Sequence, residues 1–112
     1  DRPILAAAGI ATARKVNDVW VVSTAIITRD AQDAAGEVHE RMPAFLTREA
    51  YDDWLNPVRL VTDGDKESML ALLRAASDAV AGSIRSHEVD RRVNNSRTID
   101  PRDPRLIEAV PG

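Results

Sequence analysis

The run VWVVSTAII, Val19 to Ile27, limits the possible folds more than any other stretch of this chain. It is β-branched almost throughout, and apolar residues occupy both alternating sets of side chains. β-branched residues suit an extended backbone, and a strand apolar on both sets asks for cover on both faces. A second apolar run, Ile4 to Ala11, precedes it and reads as a buried strand of small residues. Its three consecutive alanines and Gly9 would let a neighbouring strand or helix approach closely. The tract ARKVND, Ala13 to Asp18, supplies a polar turn between the two runs, so an antiparallel hairpin is the simplest connection.

Beyond the hairpin the pattern turns mixed. Asp30 to Ala35 reads as one or two helical turns ended by Gly36, VHERMP (Val38 to Pro43) as a loop, and AFL as a short strand. Thr47 is placed to cap a helix from Arg48 to Leu55, with Glu49 in its first turn and Pro57 past its end. Tyr51, Trp54 and Leu55 fall at helical spacing and would face the core. Asp63 to Asp65 start the longest helix, about Lys66 to Ala81, whose apolar stripe is Met69, Leu72, Leu73, Ala76 and Val80. Gly82 suits the position just past its end, and Ile84 to Val89 reads as a strand. From Asp90 onward, Arg, Asp, Asn and Pro dominate a surface loop closed by RLIEAV. The class is α+β, with no internal repeat and no linker between domains.

Composition sharpens what such a chain can do. At 112 residues it is one domain or part of one, and an apolar fraction of 44% is that of a folded protein. Only Trp20, Phe45, Tyr51 and Trp54 are aromatic, so the core must come mainly from Val, Ile, Leu and Ala. A net charge of −3 gives no global pull toward nucleic acid or an anionic membrane, although a local basic groove remains compatible with it. With no cysteine, the chain has no disulfide, thiolate metal site or cysteine nucleophile of its own, which fits a reducing compartment. No apolar run reaches the ~18 residues of a membrane span. The chain opens on Asp1 rather than Met, as a fragment of a longer protein would.

Familiar catalytic signatures are absent. HERMP starts like the zinc-protease H-E-x-x-H, but Pro43 stands where the second ligand belongs, and it disfavours helix for the residue before it. His87 sits beside Glu88 without a third ligand at recognisable spacing, so neither a metal nor another cofactor is expected. GIATARK lacks the second glycine and the Ser/Thr of a phosphate-binding loop, and no G-x-S-x-G elbow exposes a serine. Taken alone, His39 is a surface loop histidine satisfying a local hydrogen bond, and Arg41 is a solvated charge.

Taken in order, the tracts change that reading. PILAAAGIAT, VWVVSTAIITRDA, VHERMPAFLTREAYDDWLNP and HEVDRRVNNSRTIDPRDPRLIEAV together resemble the C-terminal half of the SOS-response-associated peptidase (SRAP) family, which processes abasic sites in single-stranded DNA. The most specific piece is H-x-R-M-P, followed by a short strand, an acidic helix and W-L; V-N-N and L-I-E come later in the same order. The resemblance implies a mixed, mainly β fold. It makes residues 1–112 the C-terminal part of a single SRAP-like domain whose N-terminal half lies outside the chain. It further implies a positively charged groove for single-stranded DNA and an N-terminal cysteine, exposed by removal of the initiator methionine. That cysteine attacks the aldehyde of an open abasic deoxyribose to give a thiazolidine DNA–protein crosslink, with linked peptidase- or lyase-type chemistry.

By this resemblance His39 is the site histidine, doing general acid–base work for which an imidazole with an unperturbed pKa of about 6.5 is suited. Arg41 matches the arginine that reaches DNA, where a guanidinium can bond a phosphate twice or stack on a base. The family's glutamate and asparagine belong to segments upstream of Asp1. Glu40 stands where the family usually has Asp. Glu88 and Asp90 replace a Pro and a Ser, Thr98 replaces a frequent Asn, and these acidic changes weaken a DNA role for the last loop. Asn94 and Asn95 are candidates for shaping that loop's backbone. Its arginines, Arg91, Arg92, Arg97, Arg102 and Arg105, alternate with acids and suggest self-pairing. Met42 would fill a core gap and Pro43 set the exit of its tract.

The expected partners are single-stranded DNA with abasic sites, met through the complete domain, and an N-terminal half in cis or trans. A second copy of the chain covering the strand faces is also compatible, and no membrane is involved. The expected location is the cytoplasm, at the nucleoid when bound to DNA. The fragment alone should not crosslink. The alternative is a non-catalytic half-domain or divergent paralogue acting as a binding or assembly module.

Overall fold

The computed structural model describes residues 4–111; Asp1–Pro3 and Gly112 lie outside. The run of small residues near the start divides at Ala8 rather than forming one strand. β1 is Ala6–Ala7 and β2 is Gly9–Val16, followed by β3 (Val19–Ile26) and β4 (Thr28–Asp30). β5 is Arg41–Pro43 and β6 is Phe45–Leu46. These form three antiparallel two-stranded ribbons, β1 with β6, β2 with β3, and β4 with β5. Two helices, α1 (Tyr51–Leu55) and α2 (Asp63–Ser83), complete a small α+β fold.

The ribbons are joined at three residues, each lying between consecutive strands: Ala8, Ile27 and Ala44. Ala8 N–H donates to Ala44 O at 2.8 Å, Ala44 N–H to Ile27 O at 2.8 Å, and Ile27 N–H to Ala8 O at 3.0 Å. This is a closed ring of three backbone hydrogen bonds. It satisfies polar groups that burial would otherwise leave unpaired, at a point where each strand passes from one ribbon to the next. Ala8 is 0% exposed, and Ala44 is also buried. Small side chains at Ala8 and Ala44 permit the close approach that the alanine run suggested.

Around the ring packs the core, Ala8, Ala44, Leu46, Ala50, Leu73 and Ala76, with Ile27, Tyr51, Trp54 and Leu72 half-buried against it. The valines and isoleucines expected there are largely elsewhere. The predicted hairpin is present, but its turn is only Asn17–Asp18, while Ala13–Val16 continue the strand. Both turn residues have positive φ, 50° and 64°. That pair makes the two-residue turn whose twist matches the strands it joins. Every residue of β2 and β3 is exposed, with Trp20 at 65% and Val22 at 69%. The cover predicted for both faces is not supplied by the described residues. The Lys15 ammonium lies 5.7 Å from the Trp20 ring centroid, shielding part of that apolar surface. With so long a projecting ribbon the radius of gyration is 18.3 Å, against about 13 Å for a compact domain of this length.

Local expectations shifted where tertiary contacts outweighed propensity. Asp33–Glu37 forms a 3-10 helix, but Asp30 belongs to β4. Thr47 makes no side-chain cap; Arg48–Ala50 is a 3-10 turn, and only then does α1 begin. Tyr51 and Trp54 face the core, and Trp54 Nε1 donates to Gly9 O at 3.0 Å. Leu55, the last residue of α1, is exposed.

α2 starts earlier than predicted because Thr62 closes a capping box. Its Oγ1 accepts from Asp65 N at 3.0 Å, and Asp65 Oδ2 accepts from Thr62 N at 3.1 Å. Those backbone donors, Thr62 first and then Val61, hold the Asp65 carboxyl below its ordinary value. Leu73, Ala76, Ser77 and Ala81 form the buried face of α2, and Met69, Leu72 and Val80 flank it half-buried. Gly82 lies inside α2 and not past its end, and no glycine has positive φ among the described residues. Ile84–Val89 has no ladder partner among the described residues, so it is no strand; one backbone bond, Val110 N–H to Glu88 O at 3.0 Å, and one from the His87 side chain tie it to the end of the chain.

The last segment is self-paired as its alternating charges suggested: Arg92 with Asp90, Arg102 with Asp100, and Arg105 with Asp103. Asp103 accepts from both the guanidinium and the backbone N–H of Arg105. The guanidinium bonds, followed by the backbone bond, pull its carboxyl from 3.8 down to about 2.

Two expectations follow. Ala8→Val overpacks the ring junction and should lower stability by about 1–3 kcal/mol in urea unfolding; an unchanged midpoint would show that the junction has room. Because the folded Asp103 carboxyl lies below its ordinary value, its contribution is present above 3.8 and lost as pH falls through about 2. Side-chain carboxyl NMR should therefore find Asp103 titrating near 2, and Arg105→Ala should move it up toward the ordinary range, with the backbone N–H of residue 105 still holding it below.

Candidate functional site

The tract that holds His39 and Arg41 is anchored at both ends by backbone bonds. Val38 N–H and His39 N–H both donate to Ala35 O at 3.1 Å, ending the 3-10 helix, and Ala31 N–H donates to Glu40 O at 2.9 Å. Arg41–Pro43 then enters a ladder with β4, so half of VHERMP is strand and not loop. The register places Thr28 opposite Pro43, Arg29 opposite Met42 and Asp30 opposite Arg41.

Because alternate residues point to opposite faces, this ribbon has two jobs. Met42 is buried, as expected of a gap-filling methionine. Arg29 turns toward α2, where its Nη1 donates to Ser77 Oγ at 2.7 Å and to Asp78 Oδ1 at 2.5 Å. Ser77 is 2% exposed, and its hydroxyl also donates to Arg74 O at 3.2 Å, so burial leaves it satisfied. The other face carries Thr28, Asp30 and Arg41. Arg41 Nη1 donates to Asp30 Oδ1 at 2.7 Å and Nη2 to Thr28 Oγ1 at 2.9 Å.

His39 is exposed and precedes the strand. Its Nδ1 accepts from Arg41 N–H at 3.0 Å. A backbone amide can only donate, so the neutral imidazole carries its proton on Nε2. Nδ1 also lies 3.2 Å from Arg41 O, which can accept a hydrogen bond from Nδ1–H when the ring is charged. Both protonation states therefore have a backbone partner at Nδ1. Among the described residues nothing engages Nε2, leaving it to an incoming group. This is the arrangement proton transfer to or from a ligand requires.

Not every singled-out residue joins this site. Asn94 ends the 3-10 helix Arg91–Asn94, and Asn95 follows it; Asn95 N–H donates to Arg92 O at 3.0 Å, and its carbonyl accepts from Thr98 N–H at 3.2 Å. Among the described residues neither asparagine side chain makes a hydrogen bond; the turn is shaped by these backbone bonds and by Asp90 Oδ1, which accepts from Arg92 N–H at 2.9 Å. His87 Nε2 bonds Ile107 O at 2.9 Å and ties the extended segment to the 3-10 helix Pro104–Ile107. A concavity of about 860 Å³ lies between Trp54, Leu60, Lys66, Met69 and Leu72 and includes neither His39 nor Arg41. Among the described residues no three His, Cys, Asp or Glu side chains are grouped to hold a metal ion, and no helix is long and apolar enough to cross a membrane.

Sequence reasoning missed Thr28 and Asp30, the two partners of Arg41. The signal lay in the alternation of T-R-D against R-M-P, but it is readable only once Arg41–Pro43 is known to be a strand in this register.

The anchoring of His39 predicts its tautomer. In ¹⁵N NMR at a pH where the ring is neutral, His39 should populate mainly the Nε2-protonated form. A dominant Nδ1-protonated form would refute the Arg41 N–H contact in solution.

The model of one protein family, described as SOS response associated peptidase (SRAP), matches residues 1–96. No curated protein and no solved structure matches the chain. A family match spanning most of the sequence, and containing the whole His39–Arg41 tract, settles the affiliation: the chain belongs to the SOS response associated peptidase (SRAP) family.

Proposed function

We propose that this chain is part of a sensor of abasic sites in single-stranded DNA, and that His39 and Arg41 are its contribution to the reacting site. The observation that supports this most directly is the fixed imidazole beside the arginine, with Nδ1 held by the Arg41 backbone and Nε2 unengaged. His39 would protonate the ring oxygen of the closed deoxyribose as it opens, and move the protons of later steps. Arg41 would hold an adjacent phosphate.

The covalent step needs a cysteine from outside these 112 residues, which contain none. Its amine condenses with the sugar aldehyde, losing one water, and its thiol then adds to the C=N carbon to close the thiazolidine. The apolar ribbon β2–β3, exposed at every residue, supports completion by another part of the domain, in cis or in trans. The same exposure favours a second reading, a non-catalytic assembly module in which another copy covers the ribbon.

Incubated alone with abasic single-stranded DNA, the chain should give no denaturation-resistant adduct. Supplied with a segment bearing an N-terminal cysteine, it should give one, and His39→Ala should slow its formation about 100-fold or more. An adduct from the chain alone, resistant without borohydride trapping, would refute the cysteine-dependent reading. A stable dimer that forms no adduct under either condition would favour the assembly module.

A further inference from the structure

Arg41 does not present a free charge. In the β4–β5 ladder Asp30 stands directly opposite it, and directly opposed residues keep their Cβ atoms about 4.5–5.5 Å apart. Backbone register, more than a choice of rotamer, therefore brings this carboxylate to this guanidinium. The Nη1–Oδ1 distance is 2.7 Å, and the Asp30 side chain is 92% exposed with no other side-chain partner among the described residues. Thr28, diagonal on the same face, holds Nη2 without adding charge. The two neighbours thus act differently: a hydroxyl orients the guanidinium, whereas a carboxylate also cancels its field.

We propose that Asp30 is a built-in competitor for DNA phosphate: it occupies the Arg41 guanidinium in the free protein and lowers the affinity of this face for single-stranded DNA, an inference that rests on the reading of Arg41 as a DNA contact. An exposed ion pair of this kind is weak, so a phosphate can displace the carboxylate. Asp30 then biases binding without blocking it. A strand that binds must break the pair to use the Arg41 charge, and the released carboxylate stays close enough to repel the backbone it has yielded to. The face would thereby favour ligands with a second source of binding energy, such as a reactive abasic site, over undamaged single strands held by phosphate alone.

The test is binding of the full chain to a fluorescent single-stranded oligonucleotide bearing a tetrahydrofuran abasic analogue, over a range of salt. Asp30→Asn, which keeps a hydrogen-bond acceptor, and Asp30→Ala, which does not, should both tighten binding by about threefold. Arg41→Ala should flatten the dependence of log K on log salt by about 0.7, as one fewer phosphate is neutralised. On an Arg41→Ala background both gains should shrink, because only the carboxylate's repulsion of the DNA backbone is then relieved. Weaker binding by Asp30→Ala with Asp30→Asn unchanged would mean that Asp30 only orients Arg41, overturning the inference. Equal tightening on the Arg41→Ala background would trace the effect to net charge and overturn it too. Unaltered binding by Arg41→Ala alone would instead overturn the DNA-contact reading, a result that needs no Asp30 variant.

Discussion

The ring of backbone bonds through Ala8, Ile27 and Ala44 is the constraint from which the rest of the structure follows. Two of the three ribbons are only two and three pairs long, and isolated two-stranded hairpins are marginal in water. Joining them at a buried point lets each ribbon lend order to the others. The ring also dictates composition. Backbones meeting this closely leave room for methyl groups, so the core beside them is built of alanines, with Leu46 and Leu73 supplying the larger apolar surfaces.

From that junction β4 and β5 run out as a ribbon with two faces, and the functional reading depends on keeping them apart. One face is mechanical: Met42 enters the interior and Arg29 clamps α2 through Ser77 and Asp78. The other is chemical, with Thr28, Asp30 and Arg41 in one cluster and His39 at its entrance. A one-residue slip would exchange the faces, burying Arg41 and exposing Met42. The clamp on α2 resists that slip, so the helix far from the imidazole helps to hold Arg41 in its place. Charge on the chemical face is balanced between cation and carboxylate.

The β2–β3 ribbon poses the opposite situation. Its register is complete over eight pairs and its turn geometry is favourable, yet its apolar side chains meet solvent on both faces. Apolar surface of this extent on one element marks a surface made for contact.

Much of this was legible in the residues. The β-branched run specified a strand and its hairpin, the stripe from Met69 to Val80 specified the long helix, and the ordered tracts around H-x-R-M-P specified the family. These signals are local or linear, and the physics that produces them acts within a few residues. What the sequence could not decide was which apolar surface would be buried, because burial depends on partners distant in the chain. Thr47 went uncapped and Leu55 unburied for that reason, and Ile84 to Val89 lacked a neighbouring strand. The His39 contact with the Arg41 amide spans only two residues and is local, but only the tertiary structure brought Asp30 across to Arg41. That pair comes from the register of two three-residue strands, and the ribbon is tied to α2 through Arg29, 48 and 49 residues from its partners Ser77 and Asp78, a separation over which local preference has no say.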